Sequence, residues 1–317
     1  MSFLALGLVT FIVVAIGEIL AQQSWISVMR TKGVSQVQKA YGPKVDEAVK
    51  AKVPSMGGVV FMLIGSGFLI SGLVTRNLTA VALWVYPVLC GAIGLTDDVL
   101  KFRRGSSEGF SSKGKFLVQM AVTIVWFAQL QAYGLSGSPS SSIWAGVLWW
   151  LLAFFLAVGA QNALNVTDGL DGLAAGASLI SFSALCFLAP GTEPFLASCA
   201  GAALCAGFLW HNAHPAQVFM GDGGSHFLAG LLVSIVLVSG MPILTLVPVG
   251  FLFGVEMISV VIQLVSIHGR GKKVFLMAPI HHHFQLKGWP ENLITWRFMV
   301  VHLIGLAGCL FIGDLLF

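Results

Sequence analysis

Ten apolar stretches, at 3–22, 56–75, 79–96, 116–133, 142–161, 173–189, 195–211, 226–240, 243–266 and 298–315, leave this chain few folds to choose from. About 20 apolar residues rising 1.5 Å each cross the hydrocarbon of a bilayer. Hydrocarbon offers no partner to a backbone N–H or C=O, so a crossing segment must satisfy its own hydrogen bonds as a helix. The expected architecture is all-α: a polytopic membrane protein of about ten transmembrane helices, in a single membrane-embedded unit over residues 1–317. Only 9% of the residues are charged, against roughly 25% in soluble domains. No basic region precedes the first apolar run, which reads as a retained span rather than a cleaved signal. The five cysteines lie in or beside apolar segments without a Cys-x-x-Cys pair, and are expected to be small packing residues.

The connections alternate between long polar ones (23–55, 97–115, 162–172, 212–225 and 267–297) and short ones. Of the 17 lysines and arginines, all but Arg76 fall in the long ones. The positive-inside rule makes the long connections cytoplasmic. With ten spans, both termini then face outward. Asp97, Asp98, Asp168, Asp171 and Asp222 gather on the same side. Glu18 and Glu256 lie deeper, where a charge is costly; they are read as boundary or bundle-packing groups and left outside the site.

Three polar clusters carry the chemistry. Gln-Asn-Ala-Leu-Asn-Val-Thr-Asp-Gly-Leu-Asp-Gly, at 161–172, repeats a polar side chain every third residue: Asn162, Asn165, Asp168 and Asp171. On a helix each step of three drifts by 60°, so the four stay within half the circumference. Gly169 and Gly172 make a continuous helix less certain and admit a ligand close to the backbone. A capped polar helix end is the plainer alternative. Gly-Leu-Thr-Asp-Asp-Val-Leu-Lys, at 94–101, sets two adjacent carboxylates one helical turn from Lys101. Phe-Met-Gly-Asp-Gly-Gly-Ser, at 219–225, frees the backbone around Asp222. In the last long connection His281, His282 and His283 follow one another directly. Successive side chains diverge too much to bind one metal readily, so the three are read as donors to phosphate oxygens or as proton shuttles. His211 and His214 receive no metal. Carboxylates, amides, lysines and histidines on one membrane face suit phosphoryl transfer, in which catalysis is positioning plus neutralisation of phosphate charge. No Gly-x-x-x-x-Gly-Lys-Ser/Thr loop is present.

These residues resemble the polyprenyl-phosphate N-acetylhexosamine-1-phosphate transferase superfamily, in its phospho-N-acetylmuramoyl-pentapeptide transferase branch. The resemblance runs from Pro54-Ser-Met-Gly-Gly58 to Arg297 and rests on Thr96-Asp-Asp98, the 162–172 segment, Phe219-Met-Gly-Asp222 and Pro279-Ile-His-His-His-Phe284. The triple histidine with Leu286-Lys-Gly-Trp-Pro290 selects the muramoyl-pentapeptide branch. It implies ten transmembrane helices, a homodimer in the bacterial cytoplasmic membrane, and a site facing the cytoplasm. The implied reaction passes phospho-MurNAc-pentapeptide from UDP to undecaprenyl phosphate, giving lipid I and UMP with Mg²⁺. Asp222 would be the metal ligand, with Asp97 and Asp98 the other catalytic carboxylates. Asn165 and Asp168 would serve the nucleotide pocket or catalysis, and Lys50, Asp171, Asn212 and Phe219 would surround the uridine. His281 would contact phosphates or sugar, with His282, His283 and Asn162 among the substrate-binding groups, and Lys113 and Lys115 would meet phosphate. No nucleic acid partner is expected. Two rivals are a sister enzyme using UDP-GlcNAc, against which the triple histidine argues, and an ion-coupled transporter. Transporters bind near the bilayer midplane, whereas these acids gather at one face.

Overall fold

The computed structural model describes residues 2–33, 53–106, 108–135 and 143–316; Lys50 lies outside them. Its longer helices are α1 (Phe3–Thr31), α2 (Gly58–Thr75), α3 (Leu78–Arg104), α4 (Ser112–Ala132), α5 (Ile143–Thr167), α6 (Leu173–Leu188), α7 (Thr192–Asn212), α8 (Gly221–Val238), α9 (Phe251–Arg270), the short α10 (Ile280–Leu286) and α11 (Glu291–Leu316). Among the described residues nine helices are long and apolar enough to cross a membrane, and α6, with 16 residues, is the shorter tenth. The protein is a multi-pass membrane protein, as the apolar pattern predicts.

Several helices run past their apolar limits at the polar end. α3 continues past 96 to Arg104, α5 past 161 to Thr167, α8 starts at Gly221 rather than 226, and α11 at Glu291 rather than 298. Backbone hydrogen bonding does not stop where side chains turn polar, so the polar ends of these segments remain helical. Much of the polar stretches 97–115 and 162–172 is therefore helix, and the candidate site stands on rigid helix ends. The 243–266 segment is instead broken, into a 3-10 turn at Ile243–Thr245, a single turn at Leu246–Val249, and α9. Two buried groups satisfy the break: Ser181 donates to the Val249 carbonyl at 2.5 Å, and His302 Nδ1 accepts from the Leu252 N–H at 3.2 Å.

α8 is the axis of the bundle, buried along almost its whole length, whereas most of α1 and α5 faces outward. It packs most extensively on α3, with α2 and α5 on its other sides. Small residues permit this, as they do generally between membrane helices. A Cβ on Gly94 of α3 would overlap the Asp222 carbonyl, and one on Gly58 would overlap the backbone of Gly224. Tyr86, Thr123 and Gln161 tie α3, α4 and α5 through one buried phenol, with Tyr86 Oη 2.9 Å from Thr123 Oγ1 and 3.0 Å from Gln161 Nε2.

The Pro54–Gly58 segment pairs through its backbone with the residues that enter α8. Phe219 N donates to the Pro54 carbonyl, Gly57 N to the Phe219 carbonyl and Gly58 N to the Met220 carbonyl, each at 2.9 Å. This pairing fixes where Asp222 starts its helix. Arg76, the isolated basic residue, sits at the other end of the bundle, next to Asn77, which donates to Glu193 at 2.8 Å.

Candidate active site

Asp222 lies in the first turn of α8, where a negative charge meets the positive end of the helix dipole. The preceding Met220 supplies no side-chain cap. Asp98 supplies one from α3: its carboxylate accepts from the N–H of Asp222 at 3.1 Å and of Gly223 at 3.0 Å. First-turn N–H groups otherwise have no partner, so Asp98 locks the two helix ends together. Gly221, at φ 71°, makes room, since a Cβ there would meet Asp98 Oδ2 at 2.5 Å.

The Asp222 carboxylate is a junction. Lys115 Nζ stands 2.5 Å from its Oδ2 and Lys101 Nζ 2.8 Å, while Asn165 donates to its Oδ1 at 2.9 Å and to Ser225 Oγ at 3.0 Å. Lys101 also holds Asp97 Oδ2 at 2.6 Å, so one ammonium already bridges Asp97 and Asp222. Asp97 Oδ1 accepts from the Phe110 N–H at 2.7 Å. α3, α4, α5 and α8 each bring at least one of these groups to the same end of the bundle.

A second line of contacts supports the first. Asn162 donates to Gln119 Oε1 at 3.1 Å, Gln119 Nε2 meets His226 Nε2 at 3.0 Å, and His226 Nδ1 meets the Asp222 carbonyl at 2.8 Å. A carbonyl only accepts, so His226 carries its proton on Nδ1 and its Nε2 accepts from the Gln119 amide. The network is self-consistent with a neutral ring. Asn162 thus acts on the site through two other side chains.

Other expected residues form a separate cluster around the turn after α5. Asp171 Oδ2 accepts from His214 Nδ1 at 2.9 Å and from the Ala216 N–H at 3.0 Å. The Asp171 N–H donates to Glu291 at 2.6 Å, and Thr295 donates to the Asp171 carbonyl at 3.0 Å. Asp171, His214 and Glu291 bring ligand atoms within 4.8 Å of one another, a group that could hold a metal ion. Asn212 accepts from the Gly172 N–H at 3.1 Å and donates to the Val218 carbonyl at 2.8 Å. Asp168 is half-buried just past α5, Phe219 half-buried just before α8, and Lys113 exposed on α4.

The three histidines do turn apart. His281 is fully buried, its Nδ1 3.1 Å from Glu256 Oε2 on α9. His282 pairs with Gln285 at 3.0 Å, and His283 Nδ1 accepts from the Leu276 N–H at 3.1 Å. Partial desolvation, then the nearby Lys287, hold the His283 imidazole below its ordinary pKa.

Gln119 and His226 belong to the candidate site although the sequence alone did not place them there, and Lys101 and Ser225, which lie within two of the polar clusters, receive no role of their own from it. Lys101 left a signal, one helical turn beyond the paired aspartates; Gln119 and His226 left none, being polar residues inside apolar runs. Phospho-N-acetylmuramoyl-pentapeptide-transferases of two bacteria resemble the whole chain. That of Halalkalibacterium halodurans is 34% identical over 308 residues, covering 94% of each chain. That of Dictyoglomus thermophilum is 34% identical over 313 residues, covering 97% of each. Residues 80–240 match glycosyl transferase family 4. The chain belongs to this family. It is a transferase, and the matched segment contains both paired aspartates, both bridging lysines, Asn165 and Asp222.

Proposed function

We propose that this chain transfers phospho-MurNAc-pentapeptide from UDP-MurNAc-pentapeptide to undecaprenyl phosphate, giving lipid I and UMP, at the cytoplasmic face of a bacterial inner membrane. The observation that carries the reading is the junction at Asp222, where two lysines and two carboxylates share charge at the ends of three helices. An acceptor phosphate oxygen attacks the donor β-phosphorus, the bond to the bridging oxygen breaks, and UMP leaves with that oxygen. Lys101 and Lys115 exchange a carboxylate partner for phosphate oxygens as charge builds there. Asp97 is the group to accept a proton from the acceptor phosphate. Asp98, with both oxygens on the α8 backbone, positions Asp222 instead.

Family membership supports Mg²⁺ as the cofactor, and the donor set fits it. Asp222 offers a hard carboxylate that already meets two cations, the Lys101 and Lys115 ammonium groups. That residue would hold the ion, which supplies charge neutralisation to the pyrophosphate when bound. The positive-inside distribution of lysine and arginine supports the cytoplasmic orientation, with both termini outside. Asp168, Asp171, Asn212, Phe219 and Lys50 are assigned to the nucleotide, Lys113 to an outer phosphate contact, and a homodimer is the proposed assembly.

Competition between donors tests the substrate. Unlabelled UDP-MurNAc-pentapeptide should suppress turnover of its radiolabelled form at micromolar to millimolar levels, whereas UDP-GlcNAc should not. Turnover of UDP-GlcNAc instead would move the chain to the sister reaction, and substrate flux without UMP would make it a transporter.

A further inference from the structure

Glu256 lies on a membrane-spanning helix and is fully buried. A carboxylate so placed costs about 2.5–3.5 kcal/mol at the middle of a span unless something compensates it. Among the described residues, no group makes an aligned hydrogen bond to either Glu256 side-chain oxygen or to either His281 nitrogen. These two buried groups face one another, with Glu256 Oε2 3.1 Å from His281 Nδ1. The distance is that of a hydrogen bond, and its angle alone falls short of one. On the far side of the ring, Nε2 abuts Gly169 so closely that a Cβ there would overlap it. Gly169 belongs to the turn that follows α5, directly after Asp168.

We propose that Glu256 is a positioning residue for His281, fixing Nδ1 as the donor toward itself and seating Nε2 against the Asp168–Gly169 turn. α9 is built for such a seat. Its buried polar residues Glu256, Ser259 and Gln263 form one stripe on an otherwise apolar helix. Two turns beyond Glu256, Gln263 grips the connection that leads to the histidines. Its Oε1 accepts from the N–H groups of Val274 at 3.0 Å and Phe275 at 2.9 Å, and its Nε2 donates to the Phe275 carbonyl at 3.0 Å. Gln263 anchors the incoming loop, and Glu256 orients the ring at its end. A histidine working through one nitrogen generally has the other held by a carboxylate or carbonyl, which sets tautomer and direction.

This inference rests on the proposed role of His281 in the transfer, and the test separates the two. UMP release is measured on detergent-purified full-length His281→Ala, Glu256→Gln and the double variant, with thermal unfolding recorded beside each. His281→Ala is expected to lower kcat by about 100-fold, and Glu256→Gln by about 10-fold. In the His281→Ala background, Glu256→Gln should cost less than about 2-fold, the non-additivity of residues acting through one group. Glu256→Asp, which keeps the carboxylate but shortens its reach, carries the same cycle if Glu256→Gln does not fold. Normal turnover in His281→Ala would remove the role of His281 itself. A crippled His281→Ala beside an unaffected Glu256→Gln, or a Glu256→Gln loss undiminished in the double variant, would overturn the positioning role of Glu256.

Discussion

The two aspartate clusters at this end of the bundle look alike in sequence and differ in what holds them. At Asp97 and Asp222, a lysine ammonium is the close partner of each carboxylate. At Asp171, the side-chain partners described are a histidine and a backbone N–H, and the residue's own amide and carbonyl are tied to Glu291 and Thr295. An ammonium on a flexible four-carbon stem can change partners; a backbone amide cannot leave without unfolding its turn. The first arrangement can hand charge to a phosphate during a reaction. The second fixes the shape of the turn after α5. Asp98 shows that the distinction does not follow proximity, since it is adjacent to Asp97 and spends its carboxylate on the α8 backbone.

That contrast can be broken at both clusters. Lys115→Met should lower kcat for UMP release by about 100-fold, the scale of one lost electrostatic stabiliser, with the unfolding temperature little changed. Asp98→Asn keeps the shape but replaces one acceptor oxygen with a donor facing an N–H; an effect of about 1–3 kcal/mol on stability is expected, read as a lower unfolding temperature. Asp171→Asn should fall on stability and donor KM, with KM rising about 10-fold and kcat changing less than about 3-fold. An equal fall in kcat and kcat/KM for Asp171→Asn would erase the difference between the clusters. Lys113→Met removes an exposed outer phosphate contact, so donor KM should rise by about 3-fold with kcat unchanged. The smallest effect is at His283. Its pKa is lowered on folding, so the unfolded chain binds more protons near the ordinary value. Stability is therefore slightly lost as pH falls through about 6.5 toward the lowered value. His283→Asn should remove that slope from the pH dependence of unfolding.

The membrane fold was legible because apolar length is a direct physical requirement for crossing hydrocarbon. The places of Asp97, Asp98, Asn165 and Asp222 at one end were legible too, since charge segregates with them. Helix continuation was not. The change from apolar to polar at 96 and 161 marks where the surroundings change, and the backbone ladder runs on to Arg104 and Thr167. The Pro54–Gly58 motif gave no hint that its partner is the backbone of Phe219 and Met220, because that pairing joins residues far apart in the chain. Glu256 was set aside as a bundle-packing acid; only the folded chain shows that its neighbour is the first of the three histidines. In each case the missing information was which helix packs on which.

The most direct measurement is UMP release by detergent-purified protein given UDP-MurNAc-pentapeptide, undecaprenyl phosphate and Mg²⁺, with folded Asp222→Ala assayed beside it. The account predicts release that requires both substrates and the metal, and that falls by about 1,000-fold in Asp222→Ala. Undiminished release from Asp222→Ala, or none from folded wild-type protein with this donor, would contradict it.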